Sequence, residues 1–317
     1  MSRNNRKENG ELITINSSLE SNKQNPSSLK NSALYHFLDK NKYGHGFGMT
    51  FSKMYKLNYD IQDDDNSTHA LYGLQYELKN PKKQDQLQYW SRIIGEYSNF
   101  NRFYFQLGAG ANFSKNKKYT SAELIICPAE TGPAYSKNIY RIQGNLYQDA
   151  FVFGRLNVSL SLEANYYMPS KSNTKNTTSD SYQGSATAKI IWDKGLPQKS
   201  KLLPFVETSY LESSIGYASI PTATGYPYWM IDSRFYAGGG VGWELGKEES
   251  DFNCRVEAAW FYDDYSTDFK RFLGNIAYQI FDYTAITSSF EIYSQSKFYS
   301  NVIQFGVKYN LNKKQKK

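Results

Sequence analysis

Between Phe151 and Met168 the chain alternates without interruption. Val152, Gly154, Leu156, Val158, Leu160, Leu162, Ala164, Tyr166 and Met168 fall on one face. Phe153, Arg155, Asn157, Ser159, Ser161, Glu163, Asn165 and Tyr167 fall on the other. A period of two is that of an extended strand with one apolar and one polar side. On a helix Val158, Leu160 and Leu162 would point in widely different directions. The stretch is longer than the ~9–11 residues a tilted strand needs to cross a bilayer.

From Tyr43 onward the same pattern recurs. Phe47, Met49 and Phe51 alternate, as do Tyr72, Leu74, Tyr76 and Leu78. Leu87, Tyr89, Ile93 and Tyr97 oppose Arg92 and Glu96, and Phe103 to Phe113 oppose Gln106, Gly108, Gly110 and Asn112. Phe235, Ala237, Val241, Trp243 and Leu245 oppose Gly238, Gly240 and Gly242, inward glycines that would thin the wall and leave room for a plug or ligand. The series predicts about 14 strands, or about 12 if the boundary near Asp282, which lacks a turn signal, is not one. An antiparallel meander of this size closes into a barrel or splits into two sheets.

Residues 1–42 are rich in Asn, Ser, Lys and Glu and read as a polar segment, disordered or loosely docked. Within them Leu34, Phe37 and Leu38 sit at helical spacing, as a short lumen plug would. The expected division is therefore a polar segment 1–42, a barrel 43–311, and a basic tail 312–317.

Composition narrows the class. The chain has 28 tyrosines among 317 residues, with a mean hydropathy of −0.65. That suits many half-apolar strands with aromatic belts better than a packed helical protein. No apolar run reaches the length of a transmembrane helix. The net charge of +7 is spread over turns and the C-terminus, with no motif that would direct it to nucleic acid. Cys127 and Cys254 are too few for a disulfide framework or a thiolate metal site. Met1 to Lys7 contain no apolar core of a signal peptide, so a leader is expected to lie outside this sequence.

Three features separate a membrane barrel from a soluble one. Connections are short on one side and longer on the other, if the chain enters at Tyr43; the expected short turns include Tyr147–Asp149. Aromatics gather at strand ends, at Tyr166 and Tyr167, Tyr226 and Trp229, Trp260 to Tyr265, and Tyr293 to Tyr299. The last strand sets Ile303, Phe305, Val307, Tyr309 and Leu311 on one face. In these respects residues 43–311 resemble the bacterial outer-membrane β-barrel proteins. Their pattern of a terminal aromatic or apolar residue is broken here by Asn312 to Lys317. The resemblance implies a single antiparallel up-and-down transmembrane barrel in the outer membrane, with lipid as its surroundings and envelope proteins as candidate partners.

The inward faces then carry the chemistry. Arg92, Glu96, Arg141, Arg155, Glu163, Arg255 and Glu257 are the candidates for setting solute or ion selectivity, with Lys189, Glu291 and Lys308 beside them. Arg141 and Arg155, on consecutive strands, would stand side by side and with Arg255 form a positive constriction. The plain alternative is that these charges neutralise one another inside a narrow barrel. Outer-membrane phospholipases place a His and a Ser two residues apart; here Phe47 follows His45 and Leu71 follows His69, so that arrangement is missing. Gly44, Gly46 and Gly48 precede no helix and make no phosphate loop. No catalytic residue, metal site or cofactor is expected. The leading expectation is a channel or transporter for small solutes. The rival is a non-transporting barrel acting as a structural or partner-binding subunit.

Overall fold

A computed structural model of the chain describes residues 11–22, 27–55, 69–81, 87–98, 103–115, 118–130, 139–169, 181–196, 200–214, 233–246, 251–264, 268–281, 283–294 and 300–311. They form sixteen long strands. In chain order these are β1 (Leu12–Asn22), β2 (Ser27–Leu38), β3 (Gly44–Tyr55), β4 (His69–Lys79), β5 (Gln88–Ser98), β6 (Phe103–Lys115), β7 (Lys118–Glu130) and β8 (Ile139–Phe153). They continue with β9 (Leu156–Pro169), β10 (Ser181–Trp192), β11 (Ser200–Ser213), β12 (Ser233–Leu245), β13 (Phe252–Asp263), β14 (Phe269–Phe281), β15 (Thr284–Ser294) and β16 (Ser300–Asn310). A two-residue pairing, Lys194 and Gly195 against Leu202 and Lys201, extends the β10–β11 hairpin.

Every neighbour in the sheet is antiparallel and consecutive in sequence, and β1 pairs with β16 from Leu12–Asn310 to Asn22–Ser300. The sheet is therefore a closed meander without free edges. It holds sixteen strands, not about 14 or 12. Those strands read from the sequence are all present, including a separate β14 and β15 either side of Asp282. The two additional ones are β1 and β2, where the sequence suggests a disordered polar segment or a lumen plug. Ile13, Ile15 and Leu19 give β1 too weak an alternation to stand alone, but both its edges are paired. In β2 the period of two wins over the helical spacing. Tyr35 points outward, while Leu34 is buried on the inner face, where Gly48 lets its backbone approach.

A second correction lies in the most regular stretch. Its alternation spans a turn: β8 ends at Phe153, Gly154 and Arg155 form the turn, and β9 begins at Leu156. Gly154 has φ 61°, which suits a tight two-residue hairpin. Tyr147 to Asp149, expected as a turn, lie within β8.

Outside, the barrel is apolar. Met49 is 67% exposed and Phe103 62%, and Leu74, Leu124, Leu160, Val206 and Phe305 are exposed beside them. Exposure of this extent on a closed sheet is what a lipid-facing band requires. Among the described residues the outward charges Lys53, Glu212 and Lys270 lie within three residues of a strand end. All three sit at the end from which connections 56–68, 170–180 and 214–232 leave, where long polar side chains reach the interface. At the opposite end, connections such as Gly154–Arg155 are short. Phe281 stacks on Tyr283 there, and Tyr283 meets Tyr309 edge to face, with ring centroids 5.5 Å apart in each step. Phe51 and Tyr72 contribute to the belt at the long-loop end. Tyr226 and Trp229, expected in a belt, lie outside the described residues. Tyr293 faces the interior instead, where its hydroxyl donates to Glu291.

At the short-loop end residues 39–43 form a compact turn. Asp39 N–H bonds the Tyr43 carbonyl, and the Asp39 side chain accepts the backbone N–H groups of Asn41 and Tyr43. Desolvation raises the Asp39 carboxyl, but these bonds and His45, 3.5 Å away, hold it below the ordinary carboxylate range.

Candidate functional site

The inner face divides into two halves of different character. On β10–β15 the side chains meet one another across the interior. Arg271 donates to both Glu207 oxygens at 2.6 Å, and Lys189 bonds Glu257 at 2.7 Å while standing 3.8 Å from Glu207. Lys189 and Glu207 are register partners on adjacent strands, while the Arg271–Glu207 and Lys189–Glu257 ties each join strands three apart, about 14 Å along the wall at ~4.8 Å per strand. Only long side chains that leave the wall can close such a gap. Arg255 donates to Glu257 and lies 4.0 Å from Glu244, and Arg234 grips Asp263 at 2.7 Å.

Aromatic rings pack between these charges. Phe261 and Phe269 stack at 4.8 Å and are the most buried large side chains, at 0% and 2% exposure. Arg271 lies over Phe261 at 4.8 Å and Lys189 over Phe205 at 4.0 Å. Glu207 is 6% exposed and Arg271 8%, so the pair is removed from water and each partner satisfies the other's charge. The inward glycines of β12 serve this cluster and hold no room for a plug. A Cβ on Gly240 would fall 2.2 Å from the Ala258 carbonyl oxygen, and one on Gly238 2.2 Å from that of Trp260. Gly240→Ala is accordingly expected to lower the yield of folded barrel, read as loss of the heat-modifiable band on a gel.

The other half, β4–β9, is a wall of polar side chains lying along the sheet. Arg141 donates to Gln143 and, at 3.5 Å, to Asn165; Cys127 Sγ lies 3.7 Å from it. Gln143 donates to Asn145 and to Glu163, Asn165 donates to Glu163 at 2.7 Å, and Asn145 donates to Glu123 at 3.3 Å. Arg92 stands 4.0 Å from Glu123 and 5.6 Å from the Trp90 ring centroid. Among the described residues its buried Nε has no hydrogen-bond partner. Glu96 accepts from Thr50 at 2.9 Å across Gly73.

The expected site residues are thus separated rather than gathered into a ring. Arg92, Glu96, Arg141 and Glu163 belong to the polar wall. Arg255 and Glu257 belong to the packed cluster. Arg155 leaves the interior altogether, because it lies in the β8–β9 turn and is exposed. Arg141 pairs in register with Tyr167 at the opposite end of the same hairpin, roughly 40 Å from Arg155 at ~3.3 Å per residue. The two cannot stand side by side, and with Arg255 bonded to Glu257 no positive ring forms. Among the described residues some inward charges have an opposite-signed neighbour, such as Glu77 with Lys79 at 3.3 Å, while Arg141 and Glu163 bond neutral amides and Glu96 a hydroxyl. Sequence reasoning missed Trp90, Glu123, Glu207 and Arg271. Trp90 and Glu123 alternate with outward residues and were legible as inward positions. The Glu207–Arg271 tie, 64 residues apart in sequence, was not.

Of the histidines, His36 Nε2 is 2.8 Å from Thr14 Oγ1 inside, and His45 stacks on Phe37 and bonds Tyr76 in the outer aromatic belt. Among the described residues no group of three His, Cys, Asp or Glu is placed to hold a metal ion.

No protein-family model matches the chain, and no curated protein matches it. Among solved structures, a bacterial polysaccharide outer membrane secretin superposes with a TM-score of 0.67 at 8% identity, covering 96% of this chain and 99% of that one. OccAB1 of Acinetobacter baumannii superposes more loosely, with a TM-score of 0.48 at 10% identity over 95% of this chain and 96% of that one. OpdK of Pseudomonas aeruginosa does so with 0.41 at 9% over 95% and 98%. The chain has the architecture of the bacterial outer-membrane β-barrel proteins. The closed antiparallel meander and the first of these matches support that architecture and no narrower family.

Proposed function

We propose that the chain is a bacterial outer-membrane channel that lets small solutes diffuse along the polar β4–β9 half of its interior. The observation that carries this reading is the exposure of Ser161 and Glu163, which face inward between the outward Leu160 and Leu162. A polar side chain exposed on the inner face of a closed apolar cylinder implies water inside. Arg92, Glu96, Arg141 and Glu163 would line the passage, and Lys189, Glu207, Glu257 and Arg271 would close off the rest. Among the described residues of this wall the inward carboxylates Glu77, Glu96, Glu123, Asp149 and Glu163 outnumber the cations Lys79, Arg92 and Arg141, so a weak preference for cations is expected.

The test is conductance of the refolded protein in a planar bilayer. The expected result is stepwise channels whose reversal potential across a salt gradient shifts modestly toward cation preference. The packed β10–β15 cluster favours a second reading, a sealed barrel that binds partners or serves as a structural subunit. Absence of conductance from a correctly folded barrel would select it.

A further inference from the structure

One row of the polar wall is organised for a particular ligand chemistry. Reading the strand register across β5 to β10, Trp90 pairs with Gly110, Gly110 with Glu123, Glu123 with Asn145, Asn145 with Glu163, and Glu163 with Ser185. All face inward. The row spans about 24 Å, five steps of ~4.8 Å. Because strands of such barrels tilt ~35–45°, a row at right angles to them winds along the interior as it crosses it. It is a track with direction rather than a belt.

At its start the indole of Trp90 lies on bare backbone. A Cβ on Gly110 would sit 2.7 Å from the ring and one on Gly108 3.4 Å from it. The glycines let the ring lie along the wall, half-exposed to the interior. The rest of the row offers carboxylate, amide and hydroxyl groups. Glu163 and Glu123 are already oriented by amide donors from Gln143, Asn165 and Asn145. Each carboxylate has further lone pairs, and Glu163 is exposed.

A flat aromatic surface followed by oriented acceptors and amides suits a molecule with apolar C–H faces and hydroxyl edges. Two carboxylates on the track against one adjoining cation, Arg92 at 4.0 Å from Glu123, disfavour an anionic chain. We infer that the Trp90–Glu123–Asn145–Glu163–Ser185 row is a binding track for neutral, linear oligosaccharides. The inference rests on the channel reading above and names the solute class for that passage.

Maltohexaose, added to one side of a bilayer holding single channels, should interrupt the ion current saturably. A polyethylene glycol of equal size should not do so at the same concentration. Trp90→Ala should raise the half-blocking concentration about tenfold, as expected for loss of one aromatic contact. Glu163→Ala, at an exposed side chain, should raise it severalfold and provides the same test should Trp90→Ala fail to fold. If the channel conducts but maltohexaose blocks no better than the glycol, the track is wrong and the channel stands. Tighter block by an acidic oligogalacturonate would overturn the neutral class, and unchanged block in both variants would overturn the site. Absence of any conductance would remove the channel itself.

Discussion

Leu160→Arg should all but abolish folding of the barrel into liposomes, while Ser161→Arg, one residue on, should fold nearly as well as wild type. Leu160 is exposed on the outer face near the middle of β9, where an arginine costs ~2–4 kcal/mol against hydrocarbon. Ser161 faces inward and is exposed there, so its replacement keeps the charge in water. A cost of this size is a large fraction of the net stability of most folded proteins. The measurement is the fraction of heat-modifiable protein after refolding into vesicles. Equal yields for the two variants would mean that the inner and outer faces have been exchanged.

Glu207→Gln should be the most destabilising single change inside the barrel. It leaves the Arg271 guanidinium, 8% exposed, beside a neutral amide in place of the carboxylate that it now holds at two points. Breaking one partner of a buried pair costs ~3–5 kcal/mol, because an uncompensated charge remains. Lys189, 3.8 Å from the Glu207 carboxylate, is a second cation that the negative charge now offsets. The double change Glu207→Leu with Arg271→Met should restore most of the loss, since apolar replacement of both partners is often neutral. Urea unfolding from detergent-stabilised vesicles would read both effects. A Glu207→Gln midpoint equal to that of wild type would show that water already reaches the pair.

How much of this was legible in the sequence follows from the range of each interaction. Strand alternation is local, so many outward faces from β3 onward could be read directly; that of β11 could not, because Leu202, Leu203, Phe205 and Val206 put apolar residues on both faces. The β8–β9 turn was missed because Gly154 and Arg155 keep the period across the hairpin, and a glycine without Asn, Asp or Pro beside it is a weak signal. That omission alone placed Arg155 inside the barrel. β1 was missed for the opposite reason: its Ser and Asn content suppresses the pattern, and its strand character comes from partners on both sides. The packed cluster was out of reach, because Lys189 meets Glu257 at a separation of 68 residues and only closure brings them together. The polar wall was half legible. Arg92, Arg141 and Glu163 were identified as inward, but the register that aligns Trp90 with Glu123, Asn145 and Glu163 requires the paired strands.

The closing ladder between Leu12–Asn22 and Ser300–Asn310 also sets the tempo of assembly. It joins segments separated by nearly the whole described chain, so it is the pairing of highest contact order and gains nothing until almost everything between is in place. Until then β1 and β16 each present an open row of amides and carbonyls, the feature that invites pairing with a foreign strand. The rate at which the cylinder zips shut therefore competes directly with aggregation. A holder that occupies the β16 edge until β1 arrives would speed productive closure without adding a single contact to the finished barrel.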